Sequence, residues 1–162
     1  MDHYFYHDNT APFITTRLIQ RLVMSNPTPK YVSTVSNAFK TGTYIGNRIQ
    51  FGTGQYGDLA ATVAAIYLED AARNVKLDAD LTQGALREPI LKILALMRSM
   101  KFSSKAQVTA MNGLVTDIGQ MAHEFTTVFS FFLPEFQPSG RVGESKLVSP
   151  EATLLDMPKM VG

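Results

Sequence analysis

Apolar residues recur at helical spacing through the first half of the chain, in stretches closed off by proline or glycine. That pattern constrains the fold more than any other feature, because a segment with a 3.6-residue apolar period buries its stripe only as a packed helix. Between Asn9 and Met24 the stripe is Phe13, Ile14, Leu18, Ile19, Leu22 and Val23, with Asn9 or Thr10 placed to cap and Pro12 near the start. Pro27 and Pro29 end it, since a residue before proline avoids the helical region. Thr28 then caps a second helix whose inward residues are Tyr31, Val32, Val35, Ala38 and Phe39, and Gly42 stops it. So short a link predicts a helical hairpin or corner.

A glycine-rich connection over residues 41–57 follows. Asp58 caps a third helix, with Leu59, Val63, Ile66 and Tyr67 facing inward and Ala60, Ala61, Ala64 and Ala65 allowing close approach. A fourth begins after Leu86-Arg87-Glu88-Pro89 and carries Ile90, Leu91, Ile93, Leu94 and Met97 on a broad apolar face. A fifth, starting at Ser103 or Ser104, repeats Val108, Met111, Leu114, Val115, Ile118 and Met121 at spacings of three and four. Gly113 and Gly119 inside it each cost about 1 kcal/mol relative to alanine, so its stability rests on packing. The end of the chain reads as loop with a short helix opened by Ser149-Pro150-Glu151. The expected fold is all-α: an irregular bundle of about five main helices plus short ones, with long Gly/Pro-rich connections and no significant sheet. Residues 1–162 read as a single helical unit, with 1–8 and 140–162 irregular or partly exposed.

Composition excludes several classes of function. The 162 residues are 45% apolar, enough for a core and too many for general disorder. A net charge of +1 opposes non-specific nucleic-acid binding, which runs on clustered excess Lys and Arg. The absence of cysteine removes disulfides, Cys-ligated zinc or iron–sulfur centres and thiol catalysis. No stretch approaches the roughly 18 apolar residues of a membrane span. Met1 to Asp8 has acids where a basic leader region belongs, so no signal peptide is expected there. Charged residues are only 18%, below the roughly 25% usual for soluble domains, which points to surface that meets another chain or a further part of the same domain.

Three blocks of residues carry a resemblance. One is Phe5-Tyr6-His7-Asp8-Asn9-Thr10-Ala11-Pro12-Phe13-Ile14, continuing through Arg17-Leu18-Ile19-Gln20-Arg21-Leu22 to Asn26-Pro27. Another is Tyr56-Gly57-Asp58-Leu59 leading to Ala64-Ala65-Ile66 and then Leu86-Arg87-Glu88-Pro89. The last is Val128-Phe129-Ser130-Phe131-Phe132-Leu133-Pro134 with Leu147-Val148-Ser149-Pro150-Glu151. In order and spacing they resemble the domain-of-unknown-function 1800 family, large helical proteins whose bacterial members are often exported. The resemblance reaches the C-terminal part of that domain and implies a truncated or divided member. It implies no reaction.

Candidate sites are few. Gly52-Thr53-Gly54-Gln55-Tyr56-Gly57 matches the G-x-G-x-x-G spacing of dinucleotide-binding turns, with Asp78 at the place of the ribose acid. Asp58, however, puts a carboxylate at the helix start where phosphate would meet bare N–H groups, so a capped glycine turn is the better reading. His3 and His7 have the spacing of a helical metal pair, but lack the H-E-x-x-H pattern and sit before the Pro12 helix. His7 and Asn9 match the family's pattern and form a polar pair at the entry to the first helix. Arg17 and Arg21, one turn apart, together with Arg87 and Glu88, suit a structural ion pair between helices better than anion recognition. His123-Glu124 is a general acid–base pair on paper, and Asp78 and Asp80 read as solvated loop acids.

Phe125, Phe129, Phe131, Phe132 and Phe136 cannot all remain wet, so they plug the core or dock on a partner. Together these features favour a non-catalytic helical fragment that packs or binds a protein partner, a missing part of its own domain or a second copy of itself. No cofactor or metal is expected. The alternative is part of an enzyme whose site lies at the seam with an N-terminal portion, lined by His7, Arg17, Arg21 and Glu88. A nucleotide-binding module using Gly52 to Gly57 comes last.

Overall fold

The computed structural model describes residues 2–73, 80, 82–103, 117–120 and 133–154. They fall into two compact units, Met1–Ala85 and Leu86–Gly162. Among the described residues no helix is long and apolar enough to cross a membrane.

The first unit is built on helices α1 (Asp2–Phe5), α2 (Thr10–Leu22) and α3 (Pro29–Thr41), strands β1 (Tyr44–Gly46) and β2 (Ile49–Phe51), and helices α4 (Leu59–Leu68) and α5 (Asp70–Arg73). Local chemistry sets most of the boundaries. Thr28 accepts the Tyr31 N–H at 3.3 Å and Pro29 fills the first turn of α3, satisfying donors that helix starts leave open. Gly42 ends α3 in the left-handed conformation (φ 66°), its N–H donating to the Ala38 carbonyl. Glycine is required there, because a Cβ would lie 2.1 Å from the Gln55 carbonyl oxygen. At the start of α2, Asn9 is itself in helical conformation and makes no side-chain cap bond, in contrast to the expected capping role.

The core of this unit joins Ile19 and Met24, Tyr31, Val35 and Ala38 of α3, and Ala65 and Ile66 of α4. Two polar contacts lie inside it. Thr15 and Ser36 share a buried hydrogen bond of 2.8 Å between α2 and α3, and the Tyr31 hydroxyl donates to the Ile66 carbonyl. Each satisfies groups that would otherwise be costly to bury.

Two expectations are corrected here. The chain is mostly helical but not free of sheet: β1 and β2 pair antiparallel, with Tyr44 opposite Phe51 and Gly46 opposite Ile49. Asn47 and Arg48, at φ 52° and 65°, form the two-residue turn whose backbone twist matches that of paired strands. The inward face of α4 also differs in part: Ile66 is buried as expected, together with Ala61, Thr62 and Ala65, whereas Leu59, Val63 and Tyr67 are 59%, 38% and 46% exposed. The glycine loop lies so close that a Cβ on Gly52 would be 2.7 Å from the Ala61 Cβ, which leaves room only for a small side chain at position 61.

The second unit contains α6 (Pro89–Ser99), α7 (Arg141–Glu144) and a 3₁₀ turn, Pro150–Leu154. Glu88 occupies the N-cap position of α6 without a side-chain cap bond. Its buried carboxylate accepts from Gln120 Nε2 at 2.9 Å, while Gln120 Oε1 accepts the Ile90 N–H at 3.2 Å. The neutral amide thus does the capping and engages the acid together. Pro150, Glu151 and Leu154 are buried, and the Ser149 N–H donates to the Phe136 carbonyl at 2.9 Å. The expected fifth helix lies outside the described residues except for 103 and 117–120.

Candidate functional site

Tyr56 is the centre of the most developed side-chain cluster of the first unit. Its ring stands 5.1 Å from Phe5, 5.1 Å from Tyr6 and 5.2 Å from Phe39, mostly edge to face, the arrangement favoured by ring quadrupoles. Its hydroxyl donates to the Phe5 carbonyl at 3.0 Å. Gly57 lies against Phe5, and a Cβ there would be 2.8 Å from Phe5 Cζ. The Thr10 hydroxyl donates to the Tyr4 carbonyl at 2.6 Å, fixing the other side of the N-terminal turn. The N-terminal motif block and the Tyr56-Gly57 block therefore meet in space.

His7 lies beyond the end of α1, so it does not share a helical face with His3. Its Nδ1 accepts the Asn9 N–H at 3.2 Å, which binds the imidazole to the turn into α2. Arg17 lies over the Phe13 ring at 5.2 Å and donates to Gln20 Oε1 at 3.2 Å. Arg21 is on the same helix and exposed. Arg87 and Glu88 belong to the second unit, with Arg87 exposed and Glu88 buried beside Gln120. Phe136 is half-buried there; Phe125, Phe129, Phe131 and Phe132 lie outside the described residues, as do His123, Glu124 and Asp78. Among the described residues, no group of three or more His, Asp or Glu side chains is placed to hold a metal ion.

The glycine loop has the geometry of a capped turn. Asp58 Oδ1 accepts the Ala61 N–H at 2.9 Å, and Oδ2 accepts both the Thr53 N–H at 2.8 Å and the Thr53 hydroxyl at 2.7 Å. Those bonds, from Ala61 first and then from Thr53, hold its carboxyl down at about 2. A full negative charge thus occupies the start of α4, where a pyrophosphate would need open N–H donors. The strand entering Gly52 is one arm of an antiparallel hairpin, and among the described residues it has no parallel partner of the kind a dinucleotide-binding unit needs. Asp80 is a solvated loop acid lowered by the Thr82 N–H and hydroxyl.

Sequence reading missed a cluster between the helices and the hairpin. The Tyr44 hydroxyl donates to Glu69 Oε2 at 3.1 Å. Burial, followed by that carboxylate, pushes the Tyr44 phenol up to about 12. Burial raises Tyr31 as well, with Glu69 adding to it. Neither phenol is tuned to exchange a proton near neutrality.

The first unit thus combines helices, a short hairpin and an aromatic nest about Tyr56. The family model described as protein of unknown function, DUF1800, matches residues 1–157, and the chain belongs to that family. No curated protein and no solved structure matches it.

Proposed function

We infer that the chain is a non-catalytic helical packing and partner-binding unit of a larger assembly, and that its finer architecture is an irregular bundle of about five main helices. One observation carries this reading. Leu59, Val63 and Tyr67 recur every fourth residue on α4 and remain 59%, 38% and 46% exposed, while Ala61, Thr62, Ala65 and Ile66 of the same helix are buried. Such a stripe is stabilised by burial against another protein surface, at about 25 cal/mol per Å² of apolar area removed from water. The candidate polar residues support the same reading. His7 and Glu88 accept hydrogen bonds from Asn9 and Gln120, and Arg17 lies on Phe13, so their functional groups serve local structure.

Size-exclusion chromatography with light scattering tests it. The expected result is a self-associating or aggregating chain that a Leu59→Ser, Val63→Ser double variant returns to monomer with unchanged helicity. A wild-type chain that runs as a clean, stable monomer counts against the reading.

A further inference from the structure

Helix α6 carries apolar residues on both of its sides. Ile90, Ile93, Leu94 and Met97 are half-buried along one side. Leu96 and Met100 on the other, and Phe102 just beyond the helix, stand in water at 59%, 72% and 55% exposure. A helix apolar all round belongs inside a core or against an apolar phase, yet only Pro89 of α6 is buried. Its 11 residues are too few to cross a bilayer core of about 30 Å.

Cations are set among these apolar side chains. Lys92, Arg98 and Lys101 are exposed, and the sequence from Pro89 to Thr116 holds them and Lys105 without one Asp or Glu. Glu88, the nearest acid along the chain, is buried at the opposite end of the helix from Lys101. The helix dipole favours Arg98 and Lys101 near the C-terminus, but it accounts neither for Lys92 in the first turn nor for the apolar side chains around them.

The helix also ends on a cation at a place that suits glycine. The Phe102 N–H donates to the Met97 carbonyl at 2.8 Å and the Lys101 N–H to the Arg98 carbonyl at 3.0 Å, the two bonds that close a helix through one left-handed residue. That residue is Lys101, at φ 51°, where a Cβ is disfavoured. The turn thereby keeps a lysine between Met100 and Phe102, the most exposed apolar residues of this stretch.

Protein interfaces deplete lysine from their apolar centres. A bilayer surface takes both kinds of side chain: apolar groups enter the acyl boundary while lysine and arginine reach back to the phosphates. We propose that the exposed face of α6 docks on an anionic lipid surface, with Leu96, Met100 and Phe102 as apolar anchors and Lys92, Arg98 and Lys101 as the cations. The α4 stripe of the first unit takes no part in it.

Flotation of the full chain with vesicles tests this, because bound chain rises with the lipid while aggregates sink. The chain should float with phosphatidylcholine vesicles containing about one-quarter phosphatidylserine, and much less with phosphatidylcholine alone or at high salt. Arg98→Gln should weaken binding about fivefold, as loss of one surface cation does. Met100→Ser with Phe102→Ser should weaken it about tenfold or more. Lys101→Gly separates lipid contact from stability: glycine suits the left-handed turn, so the melting temperature should not fall, yet binding should weaken about fivefold. Leu59→Ser with Val63→Ser should float as the wild type does. The proposal is overturned by no flotation with the anionic vesicles, by equal flotation with neutral ones, by flotation lost in the α4 variant, or by flotation indifferent to the α6 substitutions in chains of wild-type circular dichroism. It also falls if Met100→Ser with Phe102→Ser abolishes self-association in light scattering and leaves flotation unchanged, which assigns the face to a protein partner.

Discussion

The Tyr56 hydroxyl and the Phe5 carbonyl meet at 3.0 Å across 51 positions of sequence, and the Phe5 ring packs edge to face on Tyr56. An N-terminal turn is thereby fastened to the glycine loop by a side chain rather than by sheet or helix pairing. Termini not tied down in this way fray at little cost. Tyr56→Phe removes the hydrogen bond and keeps the ring, and should cost about 1 kcal/mol in urea unfolding. Tyr56→Ala also removes the contacts with Phe5, Tyr6 and Phe39, and should cost about 3 kcal/mol. Hydrogen exchange at Phe5 and Tyr6 should accelerate in the alanine variant before any change appears at Val35. Uniform acceleration throughout the first unit would show that the nest is part of the core instead of a clasp upon it.

The buried bond between Thr15 and Ser36 predicts non-additivity. Thr15→Val or Ser36→Ala alone leaves a hydroxyl with a lost partner in the core and should cost about 1–3 kcal/mol. The double variant should cost clearly less than the two single losses together, because both members of the pair are then apolar. Chemical denaturation of the four chains closes the cycle. Strict additivity would mean that Thr15 is satisfied by its bonds within α2, to the Ala11 carbonyl at 2.8 Å and the Pro12 carbonyl at 3.4 Å, and that Ser36 contributes nothing through it.

How much of this was legible in sequence depended on range. Thr28, Gly42 and Asp58 identified themselves, because a cap or a left-handed stop is chemistry among residues a few positions apart. On α4 the burial of Ile66 was legible but the exposure of Leu59, Val63 and Tyr67 was not, because leucine, valine and tyrosine outrank alanine in transfer energy, while the nearby Gly52 loop admits only a small residue at position 61. The hairpin was hidden for a related reason: Asn47 and Arg48 look like a broken strand until their partners on either side are known to pair. Of the candidate site, the entry pair His7 and Asn9 was visible as neighbours. The Tyr56 nest and the Tyr44–Glu69 contact join residues far apart in the chain, and no local pattern announces them.

Acid should act on the first unit through Asp58. Its carboxyl sits near 2 in the folded chain against an ordinary 3.8, so the unfolded chain takes up the proton first. The stabilisation is therefore complete above the ordinary value and is lost as pH falls from about 4 towards about 2. Asp58→Asn should lower stability at neutral pH and flatten that part of the acid limb, measured by thermal melts across the range. An acid limb of unchanged slope in Asp58→Asn would assign it to other carboxylates.

The opposite limb belongs to Tyr44. Its phenol is raised to about 12 by burial and by the Glu69 carboxylate it donates to, while the same phenol in the unfolded chain ionises near 10. A raised value means the folded chain holds the proton more tightly, so the contribution is whole below about 10 and disappears as pH rises towards about 12. Absorbance titration of the phenolates should show a late-ionising fraction that shrinks in Tyr44→Phe. Glu69→Gln isolates the carboxylate's share: removing its charge should move Tyr44 part of the way back towards 10, and the remainder is burial with a smaller part from Asp70. Glu69→Gln leaving the late fraction where it was would remove Glu69 from the causes, and a full return to 10 would assign the whole shift to that carboxylate.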